Sequence, residues 1–351
     1  MTSAAPPKID LRSDTVTMPD PEMRAAMAAA EVGDDVLDHD PTMARLEERV
    51  AELVGLPASL WVPSGTMGNL IALMLHLRRG DRFLAPEHAH VLGSELGTAA
   101  WIANGMPEAL PHDAGPGRPT PDTVRRVAGG AGPYYTLTTR LLCLENSHNF
   151  SGGAVIPQDE WTALGAAARD SGLLVHLDGA RIWNAAVALD VSPSALAAGA
   201  DTVQVCLSKG LGAPVGSVLA SDADRIAEAR RIRKMLGGGV RQGGVLAAAG
   251  LVAVGSIDRL ADDHANATRL AAGLRELGFD ALEPDTNIVL VDLPNPVAAA
   301  TRLAALGIGA SVTAGKLRFV THRDASAGDI ETVLRAIADD PTVLAVEVGA
   351  R

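Results

Sequence analysis

A chain of 351 residues with 42 acidic and 30 basic side chains carries a net charge of −12, which argues against a general nucleic-acid or anionic-membrane binder. Apolar residues make up 47% and charged residues 21%, so a sizeable core is available, and the length suits one large domain plus a smaller one. Two cysteines in so long a chain argue against a disulfide framework, and because Cys143 and Cys206 both sit in apolar runs they read as buried reduced thiols of a cytoplasmic protein.

The opening stretch MTSAAPPKIDLRSDT has no apolar core of signal-peptide type. Helix signals begin at DPEMRAAMAAAEV, where Asp20 can cap and Pro21 fits the first turn. They return at DPTMARLEERVAELVG: Met43, Leu46, Val50 and Leu53 recur at three- and four-residue spacing, and Gly55 stops the helix. SLWVPSGTMGNLIALMLHL then reads as a strand, a Ser-Gly-Thr turn and an apolar helix. The strand-like runs RFLAP, RLLCLEN, LLVHLDGAR, TVQVCLSKG and GSVLAS follow. Helical stretches such as DEWTALGAAARDSG and SPSALAAGA separate several of them, which implies βαβ units and a mostly parallel sheet covered on both faces. Residues 115–139, rich in Pro and Gly around one short helix, read as a surface excursion. The apolar run at 244–257 falls short of the ~20 residues that span a bilayer. Short helices and strands alternate after that. They predict a small α+β domain over 262–351, behind a large domain over 16–261 and an N-terminal arm over 1–15.

Open α/β sheets bind ligands at the carboxyl ends of their strands, and three such ends carry polar groups. CLENSHN delivers Glu145, Asn146, His148 and Asn149; VHLDGAR delivers Asp178 and Arg181; VCLSKG delivers Ser208 and Lys209. Lys209 is one of only four lysines, with Lys8, Lys234 and Lys316. A partly desolvated lysine amine can hold a carbonyl as a Schiff base. Pyridoxal phosphate (PLP) chemistry needs such a lysine, together with a carboxylate that keeps the pyridine nitrogen protonated, a role open to Asp178. Gly65 and Thr66, in VPSGTMGNL at a helix start, offer backbone N–H groups to a phosphate. No GxxxxGK[ST] phosphate loop occurs. Each piece also has a structural reading: a plain helix cap at Ser-Gly-Thr, a turn aspartate at Asp178, a surface lysine at Lys209, a loop histidine at His148. Their conjunction favours function.

The tracts DLRSDTVTMP, EVGDDV, VPSGTMGN, EHAHV, CLENSHN, HLDGARIWNAA, VQVCLSKGLGAPVGSVL and RRIRKMLGGGVRQGG together resemble the L-threonine aldolase family, from about residue 9 to 322. The resemblance implies the aspartate-aminotransferase-like fold (fold type I): an α/β large domain with a mostly parallel seven-stranded sheet flanked by helices, plus the small C-terminal domain. It implies PLP on Lys209, with Asp178 at the pyridine nitrogen, Arg181 near the phenolic oxygen and His90 stacked on the ring. Gly65 and Thr66 would hold the phosphate, joined by Arg241 and Lys234 from a neighbouring subunit, so a homodimer at least, and a tetramer, is expected. Ser13 and Arg318 would hold the substrate carboxylate. The implied reaction cleaves the Cα–Cβ bond of L-threonine or L-allo-threonine to glycine and acetaldehyde, with His148 the first candidate for the base and His90 the second. No metal is expected in catalysis.

β-Elimination, transamination or transaldolation would use the same lysine and carboxylate, and a silent cofactor binder is opposed by the presence of both. The chain departs from the family pattern at Leu37–Pro41, at Leu92, Gly93 and Ser94, and at Phe150, positions expected to line the side-chain pocket.

Overall fold

Capping decides where the first helices begin. Asp20 accepts from the Met23 amide ahead of helix Pro21–Ala28, and Asp40 accepts from the Thr42 and Met43 amides ahead of helix Pro41–Val54. Gly55 closes the second helix in the left-handed conformation, φ 69°, where other residues are strained. These details come from a computed structural model that describes residues 7–130 and 132–345. Residues 1–6 of the expected N-terminal arm and 346–351 of the expected small domain lie outside the described residues.

Strand β1 (Ile9–Asp10) stands apart from the main sheet. That sheet is built from β2 (Ala58–Val62), β3 (Arg82–Pro86), β4 (Met106–Leu110), β5 (Thr139–Glu145), β6 (Leu174–Gly179), β7 (Thr202–Cys206) and β8 (Ser217–Ser221). Its order is β2-β8-β7-β6-β5-β3-β4; β7, β6, β5, β3 and β4 run parallel, while β8 is antiparallel to both neighbours. The sheet is thus mixed, mostly parallel, and has the seven strands expected from the resemblance. Strand β4 has no strand-like signal in MPEAL: four of its five residues are exposed, and it forms by pairing with β3 at the sheet edge.

Alternate residues of β5 enter different cores. Leu142 and Leu144 pack with Val175, Val203 and Trp183, while Leu141 and Cys143 pack with Phe83 and Leu73. Burial on both faces explains why these strands read as unbroken apolar runs. Helix Gly65–His76 covers the second face and presses closely on β7, where a side chain at Gly68 would come within 2.6 Å of Gln204 Cγ.

A second sheet is formed by β9 (Asp280–Ala281), β10 (Ile288–Asp292), β12 (Ser311–Thr313) and β13 (Lys316–Val320), while β11 (Ile308–Gly309) pairs with β1. Its core joins Val289, Phe319, Leu303 and Ile330 to Leu11 from the N-terminal segment. Helix Leu260–Glu276 ties the two bodies together, since Leu260 belongs to the large core and Leu270 and Leu274 to the small one. Among the described residues no single helix is long and apolar enough to cross a membrane.

Candidate active site

Parallel strands end on one side of a sheet, and this brings the predicted polar groups together. Glu145 and Asp178 are register partners at the ends of β5 and β6, and Asp178 pairs with Gln204 in β7. Lys209 follows the end of β7. It is half-buried, its Nζ donates to Cys206 Sγ at 3.4 Å, and Thr17 Oγ1 fixes its carbonyl at 2.9 Å. Cys206 is a free, buried thiol that also accepts from Gln204 Nε2 and Ser217 Oγ at 3.3 Å.

Asp178 is buried and accepts from Asn69 Nδ2 at 2.8 Å and from the Ala180 amide at 3.1 Å. Asn69 donates again to Glu95 Oε1 at 2.8 Å, and the same oxygen meets His90 Nδ1 at 2.9 Å, a hydrogen bond that raises the His90 pKa. The His90 and Asn149 amides donate to the two oxygens of Glu145. Burial, then the Asp178 charge, push Glu145 up to about 7. His90, Glu95 and Asp178 bring one donor atom each within 4.8 Å of one another, a cation-sized cluster that the sequence reading did not foresee. Hydrogen bonds from Asn69 and His90 already engage its carboxylate oxygens.

Arg181, also buried, forms a two-pronged pair with Asp14 (Nε to Oδ2 2.8 Å, Nη2 to Oδ1 2.7 Å) and donates to Asn149 Oδ1 at 2.9 Å. Burial would raise the Asp14 carboxyl, but the Arg181 charge and hydrogen bonds hold it well below the usual range. Arg318, on β13, donates to the same Asn149 oxygen at 2.8 Å, while its buried Nε has no partner among the described residues. Two guanidinium groups therefore share one carboxylate and one amide. Burial and the Arg181 charge lower Arg318 to about 10, so it remains a cation at neutral pH. One positive charge is left over for an anion. Ser13, beside Asp14, accepts from the Thr15 amide and hydroxyl at the start of the one-turn helix Asp14–Val16.

His148 is fully buried, and neither ring nitrogen has a partner among the described residues. Its ring stands edge-on to His112 with centroids 5.4 Å apart, and Nε2 lies 4.0 Å from Glu145 Oε2. Burial, then the neighbouring His112, lower it to about 3, so the imidazole is neutral. Gly65 and Thr66 open helix Gly65–His76, whose first N–H groups have no intrahelical partners. A side chain at Gly65 would come within 3.0 Å of Cys206 Sγ, so this helix start sits directly above the strand that leads to Lys209.

The chain does not bring every candidate inward. Lys234 is exposed, and Arg241 is half-exposed and pairs with Asp34 at 3.2 Å; neither bonds to the Gly65–Thr66 turn. Asp40, expected to line the pocket, is instead a buried cap that also accepts from the Gly33 and Gly244 amides, and Leu37 points to solvent. The sequence reading gave no role to Asp14, Asn69, Glu95 or Asn149. Asn69 left a signal, a lone amide inside the apolar helix GTMGNLIALMLH, and Asp14 stands next to the candidate Ser13.

The donor set fits pyridoxal phosphate: a half-buried lysine amine, a buried carboxylate on the adjacent strand end, free N–H groups at a helix start and a surplus buried cation. On this sheet, that site defines a pyridoxal-phosphate enzyme of fold type I. The beta-eliminating lyase family profile matches residues 10–295. A probable low-specificity L-threonine aldolase 2 of Arabidopsis thaliana is 41% identical, covering 93% of this chain and 95% of that protein. The low specificity L-threonine aldolase of Escherichia coli (strain K12) is also 41% identical, covering 91% and 95%. A solved threonine aldolase from Leishmania major shares the fold with a TM-score of 0.80 at 21% identity, covering 94% of this chain and 99% of that one. So does a serine palmitoyltransferase from Sphingomonas wittichii, with a TM-score of 0.75 at 18% identity, covering 95% and 87%. The chain belongs to the beta-eliminating lyase family, and within it to the threonine aldolases.

Proposed function

We propose that this protein is a lyase that cleaves the Cα–Cβ bond of a β-hydroxy-α-amino acid, L-threonine or L-allo-threonine, to glycine and acetaldehyde. The observation that carries the reading is the convergence of Lys209, Asp178 and the uncompensated Arg318 on one side of the sheet, in a chain 41% identical to threonine aldolases over most of its length. Pyridoxal phosphate, bound through Lys209, supplies an electron sink for the bond that breaks. Asp178 would hold its ring nitrogen, His90 its ring face, Arg181 its phenolic oxygen, and the Gly65–Thr66 amides its phosphate. Arg318, assisted by Ser13, would hold the substrate carboxylate and so fix the orientation of the bonds at Cα. His148 is neutral and buried, with neither ring nitrogen partnered among the described residues, the form that accepts the β-hydroxyl proton, and Glu145 stands beside it with a pKa near the working range. His90 is the second candidate for that proton.

The same reading makes the protein a cytoplasmic homo-oligomer, a dimer with shared sites that pairs into a tetramer. Lys234 and Arg241 lie outside their own site, and exposed Val36 and Met235 line a cavity together with Lys234, an apolar surface suited to a second copy. The test of function is product analysis with L-threonine and L-allo-threonine, with Lys209→Ala as control. Stoichiometric glycine and acetaldehyde, absent in the variant, support the aldolase. Ammonia with a keto acid would move the function to elimination, and a new β-hydroxy amino acid to transaldolation.

A further inference from the structure

Beneath Asp178 runs a chain of buried side chains to which the proposed reaction assigns no role. Asn69 and His76 lie two turns apart on one helix, and His176 and Thr202 are register partners on β6 and β7. All four are at most 6% exposed, so bulk water cannot replace a missing partner. His76 Nε2 meets Thr202 Oγ1 at 2.9 Å, Thr202 Oγ1 meets His176 Nδ1 at 2.9 Å, and His176 Nε2 meets Asn69 Oδ1 at 3.0 Å.

The proton positions follow from one end. Asn69 faces two carboxylates, Glu95 and Asp178, each at 2.8 Å, and only its amino group can donate to both. Its carbonyl must then accept from His176 Nε2–H. Burial holds the His176 ring neutral, lowering it to about 4, so its Nδ1 is bare and accepts. Among the described residues, the side-chain hydroxyl that meets it is that of Thr202, which must therefore donate. That hydroxyl has a single proton, so it must in turn accept from His76 Nε2–H. Burial, then the neighbouring His176, lower His76 to about 3 and keep it neutral as well.

We propose that His76, Thr202, His176 and Asn69 form a one-directional hydrogen-bond relay that positions Asp178, fixing the orientation of the Asn69 amide so that it delivers a donor to Asp178 Oδ2. Reversing any link would turn the Asn69 carbonyl toward two carboxylates. The relay also ties the helix that begins at the Gly65–Thr66 turn to the two strands that carry Asp178 and Lys209. It rests on the reading above only for its effect on turnover, because the proton positions can be observed without turnover.

Neutron diffraction from crystals of the deuterated, cofactor-loaded enzyme reads the relay directly. The expected result is a deuteron on Nε2 of both His76 and His176, none on His176 Nδ1, and the Thr202 deuteron aimed at His176; a deuteron on His176 Nδ1 overturns the proposal. Thr202→Val keeps the shape but removes the hydroxyl, and Thr202→Ser restores it. The valine variant is expected to raise the PLP dissociation constant about tenfold and to lower kcat with KM for threonine unchanged, as the loss of one link to a charged acceptor should. The serine variant is expected to behave as the parent. Parent-like cofactor affinity in Thr202→Val, or equal losses in both variants, would also overturn the relay. If no aldehyde is formed from any substrate, the deuteron positions and the cofactor affinity still decide it.

Discussion

Arg318 should be a residue that the fold is better off without. Burial and the Arg181 cation lower its guanidinium from the usual arginine value to about 10. That difference corresponds to about 3 kcal/mol by which the folded state disfavours the charged form. Arg318→Met removes the charge while retaining most of the side-chain length. It gives up one hydrogen bond to Asn149 Oδ1, about 1–1.5 kcal/mol, and leaves Arg181 balanced by Asp14. The net expectation is a stabilisation of about 1–2 kcal/mol, seen as a rise in Tm of about 2–4 °C in the cofactor-loaded enzyme without substrate. The same substitution removes the cation proposed to bind the substrate carboxylate, at a cost of about 3–4 kcal/mol, so kcat/KM should fall about 10²–10³-fold in a coupled acetaldehyde assay. Inhibition by 1-aminopropan-2-ol, which is threonine without its carboxylate, should be unchanged, while binding of glycine weakens. A lower Tm, or a kcat/KM within about threefold of the parent, would refute the surplus-cation argument.

Asp14→Asn leaves Arg181 and Arg318 both uncompensated and should destabilise the protein by about 3–5 kcal/mol in urea unfolding at pH 7. Because the folded-state pKa of Asp14 is depressed, its contribution is fully present above the unfolded value of 3.8 and is lost as pH falls below it; the variant should lack that part of the acid sensitivity. His148, at about 3 when folded and 6.5 when unfolded, favours the folded state less as pH falls below 6.5. His148→Phe should therefore recover about 2 kcal/mol relative to the parent on going from pH 7 to pH 5 in unfolding experiments. Its kcat should drop about 10²–10⁴-fold if the imidazole is the base. If subunits share active sites, mixing inactive Lys209→Ala with inactive Arg241→Ala should restore about a quarter of the parent activity, because random dimers yield one intact site in each hybrid. No recovery after confirmed subunit exchange would place Arg241 outside the partner's site.

The runs RLLCLEN, LLVHLDGAR and TVQVCLSKG made the central strands legible, since a strand buried on both faces must be apolar throughout. They also put Asp178, Arg181 and Lys209 at strand ends, where parallel strands leave their polar groups together. Helix starts at Asp20, Asp40 and Ser64 were legible for a local reason, because a cap needs only a side-chain acceptor two or three residues ahead of the amide it satisfies. Strand β4 was not legible, because MPEAL becomes a strand only by lying against β3. Nor were the partners that give the site its charge balance. Asp14 meets Arg181 across 167 residues, Asn149 is shared with Arg318 across 169, and Asn69 reaches Asp178 across 109. Residue type and local spacing determined the strands, the caps and the reactive groups, whereas pairing of buried charges depends on distances that only the folded chain sets. Which arginine is neutralised and which histidine is held neutral were decided by tertiary structure alone.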